Sequence, residues 1–158
     1  MKIYIATSWR NVHACCLLRD TLLDCGYDVL DWTQKAPPLP DDMGLEERRS
    51  ILDSDIRGDI FDFCAGACGG GADLVIYLGP AGQDAACEVA LAYASGTPVI
   101  GLAGPLEKPG LILSRCVGRW VKYEELYEVI NEVRQEMMTS VRTSEDRKKA
   151  EKEGNGYA

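Results

Sequence analysis

Residues 72–102 read ADLVIYLGPAGQDAACEVALAYASGTPVIGL, and the segment Asp73–Leu78 (DLVIYL) within them decides the fold. Past its first residue this run is apolar, with no polar alternation. A strand of that kind is covered on both faces, as in a parallel sheet. GPAGQ then supplies a turn. Asp84–Ser95 carries a helix, Gly96 stops it in the left-handed conformation, and Pro98–Leu102 gives the next strand. Strand, helix and strand in this order make a right-handed βαβ unit.

The same alternation extends in both directions. Upstream, Lys2–Ala6 (KIYIA) reads as a short buried strand, followed by TSWRN and a helix over Val12–Cys25. Gly26 is placed to end that helix, and Tyr27–Trp32 (YDVLDW) alternates like a second strand. The prolines of QKAPPLPDDMG forbid helix and favour a loop. A helical stretch over Leu45–Cys68 follows, weakened by Gly58 and Gly66 and ended by Gly69, Gly70 and Gly71. Downstream, AGPLEKPG leads to a short helix at Leu111–Cys116, a brief strand at Trp120–Val121 and a final helix over Glu124–Thr139. The expected fold is α/β: a flavodoxin-like or Rossmann-like, doubly wound three-layer sandwich. Its five-stranded parallel sheet should have the order 2-1-3-4-5. Residues 1–142 form one domain. The charged tail from Thr143 to Ala158 has no apolar period and is expected to be disordered or a frayed extension of the last helix.

The composition narrows the partners. With 158 residues, 46% hydrophobic and 27% charged, the chain matches a globular domain that buries a core without disulfides or metal. The formal charge of −8 argues against nucleic acid or an anionic membrane as main partner, since both reward clustered Lys and Arg. A small anion held by one Arg and some backbone amides stays allowed. No apolar run approaches the ~20 residues of a membrane span. Seven cysteines (15, 16, 25, 64, 68, 87 and 116) form no regular framework, which points to free thiols in a reducing cytoplasm. Cys64 and Cys68 lie one helical turn apart, but two ligands without a second pair make a poor zinc site. No metal or cofactor is expected.

In an open parallel sheet, ligands bind beyond the C-terminal ends of the strands. Two loops build that edge here: Thr7–Asn11, with Ser8, Trp9, Arg10 and Asn11, and Gly79–Asp84, with Gly79, Gly82 and Gln83. The second opens onto a helix whose first amides suit an anion, although a simple tight turn explains it too. Glu88 lies four residues after Asp84, so both carboxylates project from one helix face among small apolar neighbours. Two such groups suit a division of labour between an ionised carboxylate and one with a raised pKa. The alternative is that Asp84 caps the helix and Glu88 merely offsets its dipole. Trp9 could stack on a base or sugar, or fold back on the helix ends. Arg10 could pair with a phosphate. His13 is the one histidine, a turn into the first helix. Asp59 and Asp62 precede the strong strand, and Asp62, between Phe61 and Phe63, is the one expected to be buried.

These residues resemble a family. KIYIATSWRN at the start and the 72–102 block are similar to nucleoside 2-deoxyribosyltransferases and the related nucleotide N-glycosidases, with the likeness running to about Thr139. The resemblance implies cleavage of the N-glycosidic bond of a nucleoside or nucleoside 5′-monophosphate. Glu88 is then the nucleophile that forms a glycosyl-enzyme, an acid protonates the departing base, and a second base or water resolves the intermediate. It also implies a homo-oligomer whose subunits complete one another's sites. The family's Asp six residues before the Glu is Gly82 here, with Asp84 as a substitute from another place. Its Asp on the preceding helix corresponds to Asp62, or to Asp59 if the triple glycine is no insertion. Its aromatic after the first strand corresponds loosely to Trp9. Three alternatives stand beside this: a nucleotide phosphoribohydrolase, a TIR-like NAD-cleaving domain, and a nucleotide-sensing module without turnover.

Overall fold

The computed structural model describes residues 1–35, 40, 42–52, 55–102, 104 and 108–154, with side chains outside 52–58 and 141–154. The strands are β1 (Lys2–Ala6), β2 (Asp28–Leu30), β3 (Leu74–Leu78), β4 (Val99–Leu102) and β5 (Arg119–Val121). The helices are α1 (Val12–Asp24), α2 (Leu45–Leu52), α3 (Asp55–Gly66), α4 (Gln83–Ala94), α5 (Leu111–Cys116) and α6 (Leu126–Gly154). The strands form one parallel sheet in the order β2-β1-β3-β4-β5, as the sequence pattern predicts. α4 lies on β1, β3 and β4, with α3 and α5 beside it, while α1 packs by β2. Right-handed crossovers in this strand order place α1 on the opposite face from α3, α4 and α5, giving three layers. The chain divides into two compact units, Met1–Val121 and Lys122–Ala158. Among the described residues, no helix is long and apolar enough to cross a membrane.

The central strands carry the core. Ile3, Tyr4, Leu74, Val75 and Ile76 are wholly buried, as the uniformly apolar reading of β3 requires. Both α1 and α4 end in Schellman motifs. Tyr27 N donates to Leu22 O and Gly26 N to Leu23 O; Thr97 N donates to Ala92 O and Gly96 N to Tyr93 O. Gly26 and Gly96 take φ of 81° and 77°, a left-handed conformation that glycine adopts without a Cβ penalty.

Several boundaries differ from the sequence expectation. β2 stops at Leu30 because Trp32 leaves the ladder: its indole Nε1 donates to Ile5 O at 2.9 Å, beyond the last strand pairing of Tyr4 with Leu30. The helix expected over 45–68 is present as α2 and α3, with residues 53–54 between them outside the described residues, and α3 ends at Gly66. Gly58 lies inside α3 and does not interrupt it. A π turn over Ala67–Gly71 then joins α3 to β3, with Gly70 at φ 111°. The expected loops at 34–44 and 103–110 lie in part outside the described residues. In the second unit, α6 runs to Gly154, well past the expected end at Thr139. Among its described side chains, Leu126, Val129 and Ile130 are buried, spaced as one helix stripe.

One row of the sheet depends on a missing side chain. Ala6, Tyr77, Gly101 and Trp120 are register partners across β1, β3, β4 and β5. The Tyr77 and Trp120 rings meet edge to face across Gly101, with centroids 5.8 Å apart. A Cβ at Gly101 would stand 2.7 Å from the Trp120 ring and 2.8 Å from Val117. Gly101→Ala should therefore destabilise the protein by about 1–3 kcal/mol in urea melts. Gly44→Ala, at a position with nothing within 4 Å, should change stability by less than about 0.5 kcal/mol. Equal effects would contradict this packing.

Candidate active site

The C-terminal edges of β1 and β3 are tied together by polar side chains that the two loops exchange. Thr7, buried, donates its hydroxyl to Leu78 O at 2.6 Å. The Asn11 amide donates to Thr7 Oγ1 at 3.2 Å, to Leu78 O at 3.4 Å and to Pro80 O. Gly79 N donates to Leu102 O at 2.8 Å, which links the same edge to β4. The expected meeting of the two loops is therefore present.

Ser8 and Gly82 lie side by side at this edge, since a Cβ on Gly82 would come to 3.8 Å from Ser8 Cβ. Gly82 is the residue that precedes α4 at the N-cap, and Gln83 and Asp84 follow in the first turn, both exposed. Asp84 is thus not the cap. Ser8 Oγ is buried with no hydrogen-bond partner among the described residues. Trp9 is half-buried and stands edge-on to Trp32, 4.9 Å between centroids, so it leans on its own fold. Arg10 and His13 are exposed.

Beneath the loops, Glu88 is held by residues from two other elements. Tyr4, fully buried on β1, donates its hydroxyl to Glu88 Oε1 at 2.7 Å. The Cys64 thiol on α3 interacts with both the Tyr4 hydroxyl and the Glu88 carboxylate. Glu88 Oε2 is also buried, and no directed hydrogen bond reaches it among the described residues. Burial pushes the Glu88 carboxyl up to about 7; the hydrogen bond from Tyr4 and the nearby Cys64 thiol pull against this, and the charge of Asp84 adds to it. Burial, together with the Glu88 charge, holds the Tyr4 hydroxyl far above its ordinary range, so it stays a donor. Burial likewise pushes Cys64 up to about 11 and raises Cys68, the fully buried thiol one turn on. These thiols stay protonated near neutrality and are poor nucleophiles.

The structure does not bring every candidate here. Asp62 is exposed, contrary to the expected burial, and so is Asp59. Residues two apart on an α-helix point about 200° away from each other. Because Cys64 faces Glu88, Asp62 faces away from it. Phe61 gives no cover, being 69% exposed itself. Tyr4, Thr7 and Cys64 are the site residues that sequence reasoning missed. One signal for Tyr4 was present: a hydroxyl inside an otherwise apolar central strand must find a partner. Among the described residues, no three His, Cys, Asp or Glu side chains gather as a metal site.

Fold and site together define an open parallel α/β protein with a buried, tyrosine-bound carboxylate at the C-terminal side of its sheet. No family model and no curated protein matches the chain. Among solved structures, it is similar to a 2-deoxyribosyltransferase from Bacillus psychrosaccharolyticus, with a TM-score of 0.54, 17% identity, and coverage of 77% of this chain and 86% of that one. It is similar to a conserved protein from Enterococcus faecalis V583, with a TM-score of 0.53, 21% identity, and coverage of 86% and 98%. A Clostridium botulinum CMP N-glycosidase also matches, at a TM-score of 0.49, 15% identity, and coverage of 84% and 98%. The first two likenesses establish a shared fold.

The raised Glu88 pKa has a consequence for stability. An acid that is harder to ionise folded than unfolded contributes stability below its unfolded pKa, near 4.5, and loses it as pH rises through about 7. The loss is on the order of 3 kcal/mol. Glu88→Gln, which stays neutral, should therefore gain stability relative to the parent between about pH 5 and pH 8, read by urea melts at both. Parallel pH dependences would show that Glu88 does not titrate in this range.

Proposed function

We propose that the protein cleaves the N-glycosidic bond of a nucleoside or nucleoside 5′-monophosphate, with Glu88 as nucleophile. One observation carries this reading: a buried carboxylate with one oxygen held by Tyr4 and the other reached by no directed hydrogen bond among the described residues, below the loops where this fold class binds ligands. The similarity of fold to a 2-deoxyribosyltransferase supports it. Glu88 Oε2 attacks the anomeric carbon, and the carbon–nitrogen bond breaks with its electron pair going to the base. The base takes up a proton from solvent at the open edge; Asp59 and Asp62, exposed on α3, carry no part of this step. The resulting glycosyl ester passes the sugar to a second base or to water. Tyr4 keeps its hydrogen bond to Oε1 throughout and fixes the carboxylate for attack.

A nucleophile must be ionised, so base release should rise on the acid side of its pH profile through about 7. The test is incubation with nucleosides, 5′-monophosphates and NAD, with and without an acceptor base, read by liquid chromatography. Release of free base, reduced by about three orders of magnitude or more in Glu88→Ala, is the expected result. Acceptor dependence separates transfer from hydrolysis. A second reading, a nucleotide sensor, draws on Gly82, which offers no side chain where the resembling transferases carry an Asp. Thermal stabilisation by a nucleotide without base release from any substrate would favour it and sink the enzyme reading.

A further inference from the structure

Glu88 stands on α4, and Tyr4, which holds it, stands on β1. The bond between them therefore depends on how the start of α4 is seated against β1. One side chain spans that seat. Asn11 is the N-cap of α1, yet its side chain makes no capping bond to that helix. Its amide nitrogen carries two hydrogens and is turned to three acceptors of the protein itself: Thr7 Oγ1 just past β1, Leu78 O at the end of β3, and Pro80 O in the loop that enters α4. Thr7 donates to the same Leu78 O. The β4 loop also closes on Pro80, since a Cβ on Gly104 would stand 2.8 Å from Pro80 N and 3.0 Å from Gly79 O. Pro80 lies just ahead of Gly82, the N-cap of α4, and a Cβ on Gly82 would come to 3.8 Å from Ser8 Cβ. The entry to α4 is thus held to the end of β1 above the level at which Tyr4 meets Glu88.

We propose that Asn11 is a positioning residue: by holding the Pro80 carbonyl to the ends of β1 and β3, it seats α4 so that Glu88 meets the Tyr4 hydroxyl and presents its second oxygen to the substrate. The inference rests on the N-glycosidic reading of Glu88. It moves Asn11 from the ligand to the scaffold, because its donors are taken up by the protein's own oxygens. A misplacement of about 1 Å in a reacting group costs on the order of 100-fold in rate. The Tyr4 hydrogen bond favours the ionised carboxylate, so a Glu88 that slips from Tyr4 is harder to ionise. Glu88 therefore reports the seat of α4 in two ways, through its rate and through its titration. The groups that act on it besides Tyr4, namely Asp84, Cys64 and Cys68, are the same in every variant below.

The test uses Asn11→Ala and Asn11→Ser, with thermal melts confirming that each folds. Serine is a good N-cap for α1 but too short to reach Pro80 O. Carbon-13 NMR of the glutamate carboxyls, with Glu88 assigned by its loss in Glu88→Gln, follows its titration without turnover. The midpoint should lie near 7 in the parent and rise in both Asn11 variants, in the same direction as in Tyr4→Phe. In Tyr4→Phe carrying Asn11→Ala it should rise no further than in Tyr4→Phe alone, since both changes act through one bond. In base release, the Asn11 variants should lose about tenfold or more in kcat, with KM changed by less than about threefold. Folded Asn11 variants whose Glu88 titrates as in the parent overturn the proposal. So does a rise in KM with kcat unchanged, which would make Asn11 a ligand contact. A parent that releases no base, with a Glu88 midpoint still moved by Asn11→Ala, would instead overturn the glycosidic reading and leave the positioning of Glu88 standing.

Discussion

The hydrogen bond from Tyr4 to Glu88 joins the first strand of the sheet to the helix after the third, across 84 residues of sequence. The rest of the site follows from it. A carboxylate this buried is costly unless neutralised or hydrogen-bonded. Tyr4 satisfies one oxygen, and burial keeps the group poised between its charged and neutral forms near pH 7. The order β2-β1-β3-β4-β5 makes the bond possible, because it sets β1 beside β3 and lets α4 lie over both. The Thr7 and Asn11 bonds to the β3 loop then hold the sheet edge above it.

Much of this was legible in the sequence, for identifiable reasons. The unbroken apolar run at β3, the glycines after α1 and α4, and the strand–helix alternation are local signals, and they lead to the observed strand order. Glu88 and Asp84 were legible as a pair because helical spacing alone puts them on one face. The partners of Glu88 were not, because Tyr4 and Cys64 reach it from distant parts of the chain. The reading of Asp62 went astray over helical phase. Its aromatic neighbours suggested cover, but the face of α3 turned toward Glu88 is set by Cys64, and Asp62 lies on the other side. Trp32 escaped the strand pattern because its indole, and not its backbone, completes the edge at Ile5.

The same geometry divides the chemistry. Cys64 and Cys68 lie near the Glu88 carboxylate, and burial keeps both thiols protonated near neutrality and poor nucleophiles. Trp9, braced on Trp32, and Ser8, beside the N-cap of α4, stand at the C-terminal edge of the sheet. In the Thr7–Asn11 and Gly79–Asp84 loops the charged residues are Arg10 and Asp84.

Whether Glu88 becomes covalently bonded to a sugar is read by intact-mass spectrometry of the protein after incubation with a 2′-deoxy-2′-fluoronucleoside. The electronegative fluorine slows breakdown of a glycosyl ester, so the account predicts an added fluorosugar mass that peptide mapping places on Glu88. Base release without any adduct, or an adduct on another residue, would contradict it.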